Sequence, residues 1–147
     1  MVIKYKTIKI KKYSDVIEEF VVADGKTITP GMVVKVNASG KVEPGYGGLL
    51  MVALEDELQG GGIDDTYAAG QPVQVWIPYR GDMFYAIPSD TTNLVAGDLV
   101  EADSVSGDAG KVVEPVGTST GDVLGQVVQV VTTTVPGENN RVVVRVF

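Results

Sequence analysis

The chain has 147 residues, of which 44% are hydrophobic and 21% charged, and its net charge is −7. That length suits one compact domain with a substantial core. Neither histidine nor cysteine occurs, which excludes disulfides, histidine-based nucleophile systems and the commonest metal ligands. We therefore expect a protein that is not an enzyme and that has no cofactor or metal. The remaining enzymatic alternative is a catalyst built on carboxylates alone.

Residues 1–15 are interpreted as a basic N-terminal arm, followed by a single β domain over residues 16–147. All five lysines of the arm lie within residues 1–12, before the first acidic residue, and residues 13–147 carry a charge of −12. Regular interleaving of lysine with isoleucine and tyrosine favours an ordered, partner-binding strand over a frayed terminus. The candidate contact residues are Lys4, Tyr5, Lys6, Ile8, Lys9, Ile10, Lys11 and Lys12.

The alternation within MVIKYKTIKIKK changes phase near Thr7. A bulge or bend at that point would let the arm pair within its own subunit. Alternatively, the arm does not pair within its own subunit and lies on another protein. In either case we expect no nucleic-acid partner, because the rest of the chain is strongly acidic, and no membrane partner, because no apolar stretch approaches the roughly 20 residues that span a bilayer.

Valine-rich runs separated by Gly, Asn and Asp predict an all-β protein with short strands. The predicted strands are 16–22, 32–36, 41–43, 50–54, 73–77, 83–87, 98–102, 111–114, 123–131 and 141–147. A short helix over SDVIEEFVV (14–22) is the alternative for the first of them, because its apolar residues also share a helical face.

A repeat organises these strands. TPGMVVKVNASGKVEP (29–44) corresponds to VAGDLVEADSVSGDAGKVVEP (95–115), and the correspondence continues from GLLMVALE to DVLGQVVQ and from PVQVWI to RVVVRV. Each copy predicts a strand preceded by glycine, a hairpin closed by a polar turn, and two further strands. We therefore expect two pseudo-repeated halves, about 28–77 and 94–147, packed as one small barrel or sandwich.

The loops and aromatic residues suggest few specific sites. The longest loop, 56–71, contains three consecutive glycines and two adjacent aspartates; we expect it at the same end of the barrel as the loop 132–140. Its acids lack EF-hand spacing, so a solvated loop is favoured over a cation site, and Arg80-Gly81-Asp82 is predicted to be a turn. Trp76 is assigned to the core, whereas a core position and a contact surface both remain open for Tyr79, Phe84 and Tyr85.

The stretches ITPGMVVKVNASGKVEP, LLMVALED, YAAGQPVQVWIP, VAGDLVEAD, GKVVEP and VLGQVVQV resemble the capsid decoration, or cement, proteins of tailed bacteriophages, over roughly residues 21–147. The first strand of each repeat is also similar to that of SAF and β-clip modules. The decoration-protein resemblance implies a β-tulip-like body, often trimeric, on the outside of an icosahedral shell.

That resemblance sets the functional expectations. The partner is the major capsid protein, whose neighbouring subunits are clamped together, and terminal arms commonly form part of the clamp. We expect a homo-oligomer, a trimer being favoured, on the capsid exterior of a virion assembled in the host cytoplasm. Deletion of residues 1–12 is expected to weaken shell binding and to leave the β fold intact. A tail or fibre-head domain, or a carbohydrate-binding sandwich, is the alternative.

Overall fold

The computed structural model describes residues 4–89, 93–105, 107–115 and 123–147. In these ranges the chain forms eleven strands and one 3₁₀ turn, Glu57–Gln59, and no α-helix. The strands are β1 (Lys9–Lys11), β2 (Ile17–Val21), β3 (Val34–Val36), β4 (Val42–Pro44), β5 (Val52–Ala53), β6 (Pro72–Trp76), β7 (Met83–Ala86), β8 (Leu99–Ala102), β9 (Val112–Val113), β10 (Val123–Val131) and β11 (Arg141–Val146).

The all-β prediction is confirmed, and each of the ten predicted strands corresponds to one of β2 to β11. The helical alternative over residues 14–22 is wrong, since β2 occupies that stretch and pairs with β6 along its whole length. The two consecutive valines that end this stretch, Val21 and Val22, are followed by a turn at Asp24 and Gly25, and this sequence favours strand over helix.

The strands form three sheets with the orders β1-β7-β11-β10-β8-β9, β2-β6-β5 and β3-β4. An antiparallel bridge between Val33 and Val52 links the start of β3 to β5. The first half of the chain therefore runs in the order β2-β6-β5-β3-β4, and the second half repeats this order as β7-β11-β10-β8-β9. Strand β1 is added to the outer edge of β7.

Backbone hydrogen bonds show that the two halves are structural copies. The N–H of Gly31 donates to the carbonyl of Ala53 at 2.8 Å, and the N–H of Gly97 donates to Val127 at the same distance. Both glycines have a positive φ, 93° and 97°, which side chains other than glycine rarely adopt. The repeated sequence motif is thus a repeated turn and strand.

The duplication extends further towards the N-terminus than the sequence repeat indicated. A parallel bridge joins Val22 to Val42 in the first half, and an equivalent bridge joins Pro88 to Val112 in the second. Strands β2 and β7, which lead into these bridges, occupy the same position at the edge of their respective halves. Each half is therefore a five-stranded unit.

The contact between the halves is not symmetric. Gly31 lies so close to the second half that a Cβ there would be 2.4 Å from the carbonyl oxygen of Tyr85. Gly110 of the second half accepts a hydrogen bond from Val33 at 2.8 Å, and a Cβ on it would be 2.6 Å from the Val33 oxygen. Gly97, which is equivalent to Gly31, and Gly40, which is equivalent to Gly110, face open space, with no atom within 4 Å of an added Cβ.

The larger of two buried clusters draws residues from both halves. It includes Val33, Val52 and Trp76 from the first half and Phe84 and Val144 from the second. Trp76 is fully buried, as predicted, and its indole N–H donates to the carbonyl oxygen of Ser14 at 3.1 Å. The smaller cluster lies within the first half and draws its buried strand residues from β3, β4, β5 and β6.

Candidate partner-binding surface

The N-terminal arm lies against the body, so the expectation of an extended arm is not confirmed. Ile8 is fully buried. Its carbonyl oxygen accepts a hydrogen bond from the Tyr85 N–H at 2.9 Å, and its N–H donates to the Glu55 carboxylate at 3.1 Å. The Thr7 hydroxyl donates to the same carboxylate at 2.6 Å. Because Glu55 belongs to the first half and Tyr85 to the second, the arm joins both halves.

The phase change in the arm sequence has a structural cause. The chain bends over residues 6–8, which lets Tyr5, Ile8 and Ile10 all pack against the larger core cluster. Tyr5 meets the edge of the Tyr85 ring with centroids 5.4 Å apart, and its hydroxyl donates to Gln129 at 3.2 Å. The bend predicted near Thr7 is therefore present, and the arm pairs within its own subunit.

The eight candidate contact residues divide into two groups. Ile8 is buried, and Tyr5, Lys9 and Ile10 are half-buried. The exposed residues are all lysines: Lys4, Lys6, Lys11 and Lys12. A partner can reach these lysines without moving the arm, whereas it can reach Ile8 only if the arm detaches. Deletion of residues 1–12 removes a strand and a core side chain, so that deletion also alters the stability of the fold.

Ion pairs orient the lysines on both sides of the arm. Lys9 and Lys12 both donate to the carboxylate of Asp15, at 3.1 and 2.9 Å. The hydrogen bond from Lys12, followed by that from Lys9, lowers the pKa of Asp15. At the start of the arm, Lys4 pairs with Glu138 and donates to the hydroxyl of Thr133 at 3.0 Å. Exposed pairs of this kind contribute little stability, but they restrict where the ammonium groups lie.

An exposed cationic and aromatic patch lies at the end of the arm. We call Lys11, Lys12, Tyr13, Tyr79 and Arg80 the arm patch. Tyr13 and Tyr79 are 71% and 57% exposed, and the Lys11 ammonium lies 5.4 Å from the centre of the Tyr13 ring. Aromatic side chains with arginine are the residues that interface cores favour.

A buried carboxylate holds the arm patch together. Asp82 is fully buried, and its two oxygens accept the backbone N–H groups of Tyr13 at 2.6 Å and Tyr79 at 2.8 Å. The predicted turn at Arg80 is confirmed, since the Asp82 N–H also donates to the Tyr79 carbonyl at 3.0 Å. Both tyrosines are thereby fixed to one buried group.

The structure also answers whether the three aromatic residues near Arg80 lie in the core or on a contact surface. Phe84 and Tyr85 are core residues, whereas Tyr79 is at the surface. Tyr13 was missed as a candidate because it follows the last lysine of the alternating run. The available signal was its position directly after two lysines and before the polar pair Ser14 and Asp15.

The two loops 56–71 and 132–140 meet at one end of the molecule, as predicted. Asn139 donates to the Asp64 carboxylate through its backbone N–H at 3.2 Å and its side-chain amide at 2.9 Å. Together with Lys4, Tyr5 and Arg141 they line a cleft of about 380 Å³. The cleft begins where the arm meets the body.

Arg141 lies at the base of this cleft and is almost completely buried. One terminal nitrogen donates to the carbonyls of Pro30 at 2.6 Å and Tyr85 at 3.1 Å. The other donates to the Ile63 carbonyl at 2.6 Å and to the Asp64 carboxylate at 3.0 Å. The guanidinium therefore connects a turn of the first half, the long loop and β7.

Burial lowers the pKa of the Arg141 guanidinium, against the effect of its Asp64 partner. For Asp64 itself, burial acts to raise the pKa, but hydrogen bonds from Asn139 and Arg141 outweigh it and hold the pKa below its ordinary value. The adjacent Asp65 accepts the N–H of Gly62 at 2.7 Å. Both aspartates thus serve the loop, and the described part of the chain holds no group of three or more acidic side chains placed for a metal ion.

Comparison with known proteins adds no relative: no protein-family model matches the sequence, and no curated protein matches it significantly. Within the described ranges, no helix is long and apolar enough to cross a membrane.

Proposed function

We propose that this protein is a structural component of a virion, bound to the outside of an icosahedral capsid, where it joins neighbouring major capsid subunits. The observation that carries the proposal is the arm patch. It places three cations and two exposed aromatic rings on a protein whose remaining sequence is strongly acidic. Such a segregated patch favours a protein partner with an acidic, partly apolar surface.

The sequence resemblance supports the same class of function. The stretches similar to decoration proteins form the hairpins and central strands of both halves, which include β3, β4, β8 and β9. They build a scaffold, and the arm and loops are carried on it. A decoration protein with this scaffold would act by rigid attachment to the capsid, so its surface residues need only bind the capsid and need no catalytic group.

Repetition of the capsid lattice makes modest contacts sufficient. Each arm patch is small, but a trimer on a local threefold axis would present three of them to three equivalent capsid sites. Linked contacts raise the overall affinity because the second and third contacts form within one complex. We therefore propose a trimer on the capsid exterior.

The carbohydrate-binding alternative depends on exposed aromatic residues. Trp76 is fully buried, and the hydroxyl of the half-buried Tyr46 donates to the Gly48 carbonyl. Tyr79 is exposed, but together with Tyr13 it belongs to the arm patch, whose three cations favour an acidic partner surface. The geometry therefore favours a protein partner over a sugar.

The test uses the intact chain and empty shells of a tailed-phage type. The variant combines Lys11→Glu, Lys12→Glu and Tyr13→Ala, all at exposed positions, so the fold is retained. The control is Lys26→Glu with Lys41→Glu, which changes the net charge equally at a distant surface. We expect the wild type and the control to co-sediment with shells and to occupy regular lattice positions on imaging.

The arm-patch variant should bind at least tenfold more weakly than the control. Equal binding by the two variants would remove the arm patch from the proposal. Failure of the wild-type protein to bind any shell would overturn the proposed function as a whole and would favour a tail or fibre-head module.

A further inference from the structure

The outer edge of β2 is open. Towards β6, the Val22 N–H donates to Gln71 and Val16 accepts from the Ile77 N–H. Since successive residues of a strand point their backbone groups in opposite directions, the N–H and C=O groups of Ile17 and Glu19 point away from β6. Among the residues that the structure describes, no strand pairs with this side of β2 itself; the parallel bridge from Val22 to Val42 lies just beyond its end.

The equivalent edge in the second half is occupied. Strand β7 corresponds to β2, and its residue Tyr85 corresponds to Glu19. The outward N–H of Tyr85 donates to Ile8, and β1 adds to β7 as an antiparallel strand. The same unit thus appears twice in one chain, once with an added strand and once without.

The open edge has a distinct charge. Glu18 and Glu19 are both exposed, and no salt bridge joins either of them to another described residue. Ile17 is 38% exposed. The edge strand therefore carries two carboxylates beside a partly exposed apolar side chain.

This charge decides which strand fits the edge. If β2 paired with β2 of a second copy, the antiparallel registers that use most of the strand would place glutamates opposite glutamates, which is destabilising. The arm of a second copy has suitable lysines, but its Ile8 is buried in its own subunit and would have to leave the core. A separate cationic strand meets neither obstacle.

We propose that the free edge of β2 binds an extended segment of another protein, in which lysine or arginine alternates with apolar residues, by adding it as an antiparallel strand. Backbone groups of Ile17 and Glu19 form the new hydrogen bonds, and the glutamates pair with the cations of the segment. This contact is separate from the arm patch and does not depend on the proposed shell binding.

The test uses a synthetic peptide with the sequence of residues 6–12, KTIKIKK, because this chain shows that it can add to the equivalent edge. The peptide is titrated into the isotope-labelled, full-length protein, and backbone amide shifts are followed by NMR. We expect the largest shifts at Ile17 and Glu19, with β7 unchanged because its own arm occupies it. A peptide with glutamate in place of each lysine should not bind.

Two variants separate strand addition from simple charge attraction. Glu19→Pro removes the outward N–H without removing a bond to β6, an edge position where proline is tolerated, and should weaken peptide binding at least tenfold. Glu18→Lys reverses the charge and should also weaken it at least tenfold; it keeps the test decisive if the proline variant unfolds.

The proposal is overturned if the peptide does not bind at millimolar concentration, if its shifts fall on β1 and β7, or if folded Glu19→Pro binds as the wild type does. Co-sedimentation of Glu19→Pro with shells reports separately on the arm patch. Loss of peptide binding with retained shell binding is the result expected from two independent surfaces.

Discussion

Arg141 and Gly31 show how a single residue pair can fix the contact between the two halves. A Cβ on Gly31 would lie 2.3 Å from a terminal nitrogen of Arg141 and 2.4 Å from the Tyr85 oxygen. Glycine is needed there for space as well as for its positive φ. Its counterpart Gly97 has a similar φ but no neighbour within 4 Å.

Replacing these two glycines by alanine separates crowding from backbone strain. Gly31→Ala should lower the free energy of unfolding by about 3 kcal/mol or more, because overpacking adds to the strain of a positive φ. Gly97→Ala should cost only about 1 kcal/mol, since strain alone acts there. Chemical denaturation measures both; equal costs would show that the approach of Gly31 to Arg141 does not matter.

The ion pair of Arg141 with Asp64 makes stability depend on pH. The pKa of Asp64 is lowered in the folded protein, so its contribution is present above the ordinary carboxyl pKa and is lost as the pH falls through the folded value. We expect Asp64→Asn to be less stable than wild type at about pH 7 and the difference to shrink towards about pH 3.

Denaturation curves of both proteins across that range provide the measurement. Subtracting one curve from the other cancels the contribution of carboxylates that do not interact with Asp64, such as Asp15. A difference that stays constant with pH would contradict the assigned role of Asp64.

The arm is the element whose role changed most between sequence and structure. One side of the arm packs against the body as an added strand, and the other side exposes lysines to solvent. Ile8 faces the core and Lys6 faces solvent. The bend over residues 6–8 gives these two side chains different environments although they are only two residues apart.

Single substitutions in the arm should show this division. Ile8→Ala should lower the free energy of unfolding by about 2–4 kcal/mol, the range for large-to-small changes in a core. Lys6→Ala, two residues away and exposed, should change it by about 0.5 kcal/mol or less. Urea unfolding of both variants compares them directly, and a small cost for Ile8→Ala would mean that the arm is only loosely held.

Local sequence patterns predicted most of the elements. The turn residues Asn37 and Gly40 and the alternating valines specify hairpins through short-range geometry, so β3, β4 and their repeats could be located. Arg141 could not be identified, because it resembles an ordinary strand residue in RVVVRV. Its burial depends on carbonyls from Pro30, Ile63 and Tyr85, which only the fold brings together.

The candidate surface was predictable only in part. The phase change near Thr7 indicated a bend, but nothing in the alternation identified β7 as the edge that receives the arm. Tyr13 and Tyr79 are far apart in sequence, and the buried carboxylate of Asp82 brings them together. A contact surface of this kind depends on tertiary hydrogen bonds.

At the scale of the whole molecule, the duplicated halves form one cooperative structure. The larger core cluster mixes residues of both halves, and Arg141 and the arm tie them further. The larger cluster thus draws on both halves, whereas the smaller one lies within the first half. The two halves differ at two equivalent positions. The edge of β7 is covered by β1 whereas that of β2 is open, and Gly31 contacts the other half whereas Gly97 faces open space.

We therefore expect a single thermal unfolding transition. Differential scanning calorimetry should give a calorimetric enthalpy equal to the van't Hoff enthalpy, the result for a two-state domain. Two resolved transitions, or a van't Hoff enthalpy well below the calorimetric enthalpy, would indicate that the halves unfold independently.

The attachment of the arm to both halves also has a kinetic consequence. The site for Ile8 is made from Glu55 and Tyr85, which are distant in sequence, so it exists only after the halves have come together. The arm then docks late in folding, after the main barrier. Changes in the arm should accelerate unfolding and leave the folding rate nearly unchanged. How long the folded protein lasts before it unfolds would thus be set by residues 4–12, even though the rest of the chain builds most of the fold.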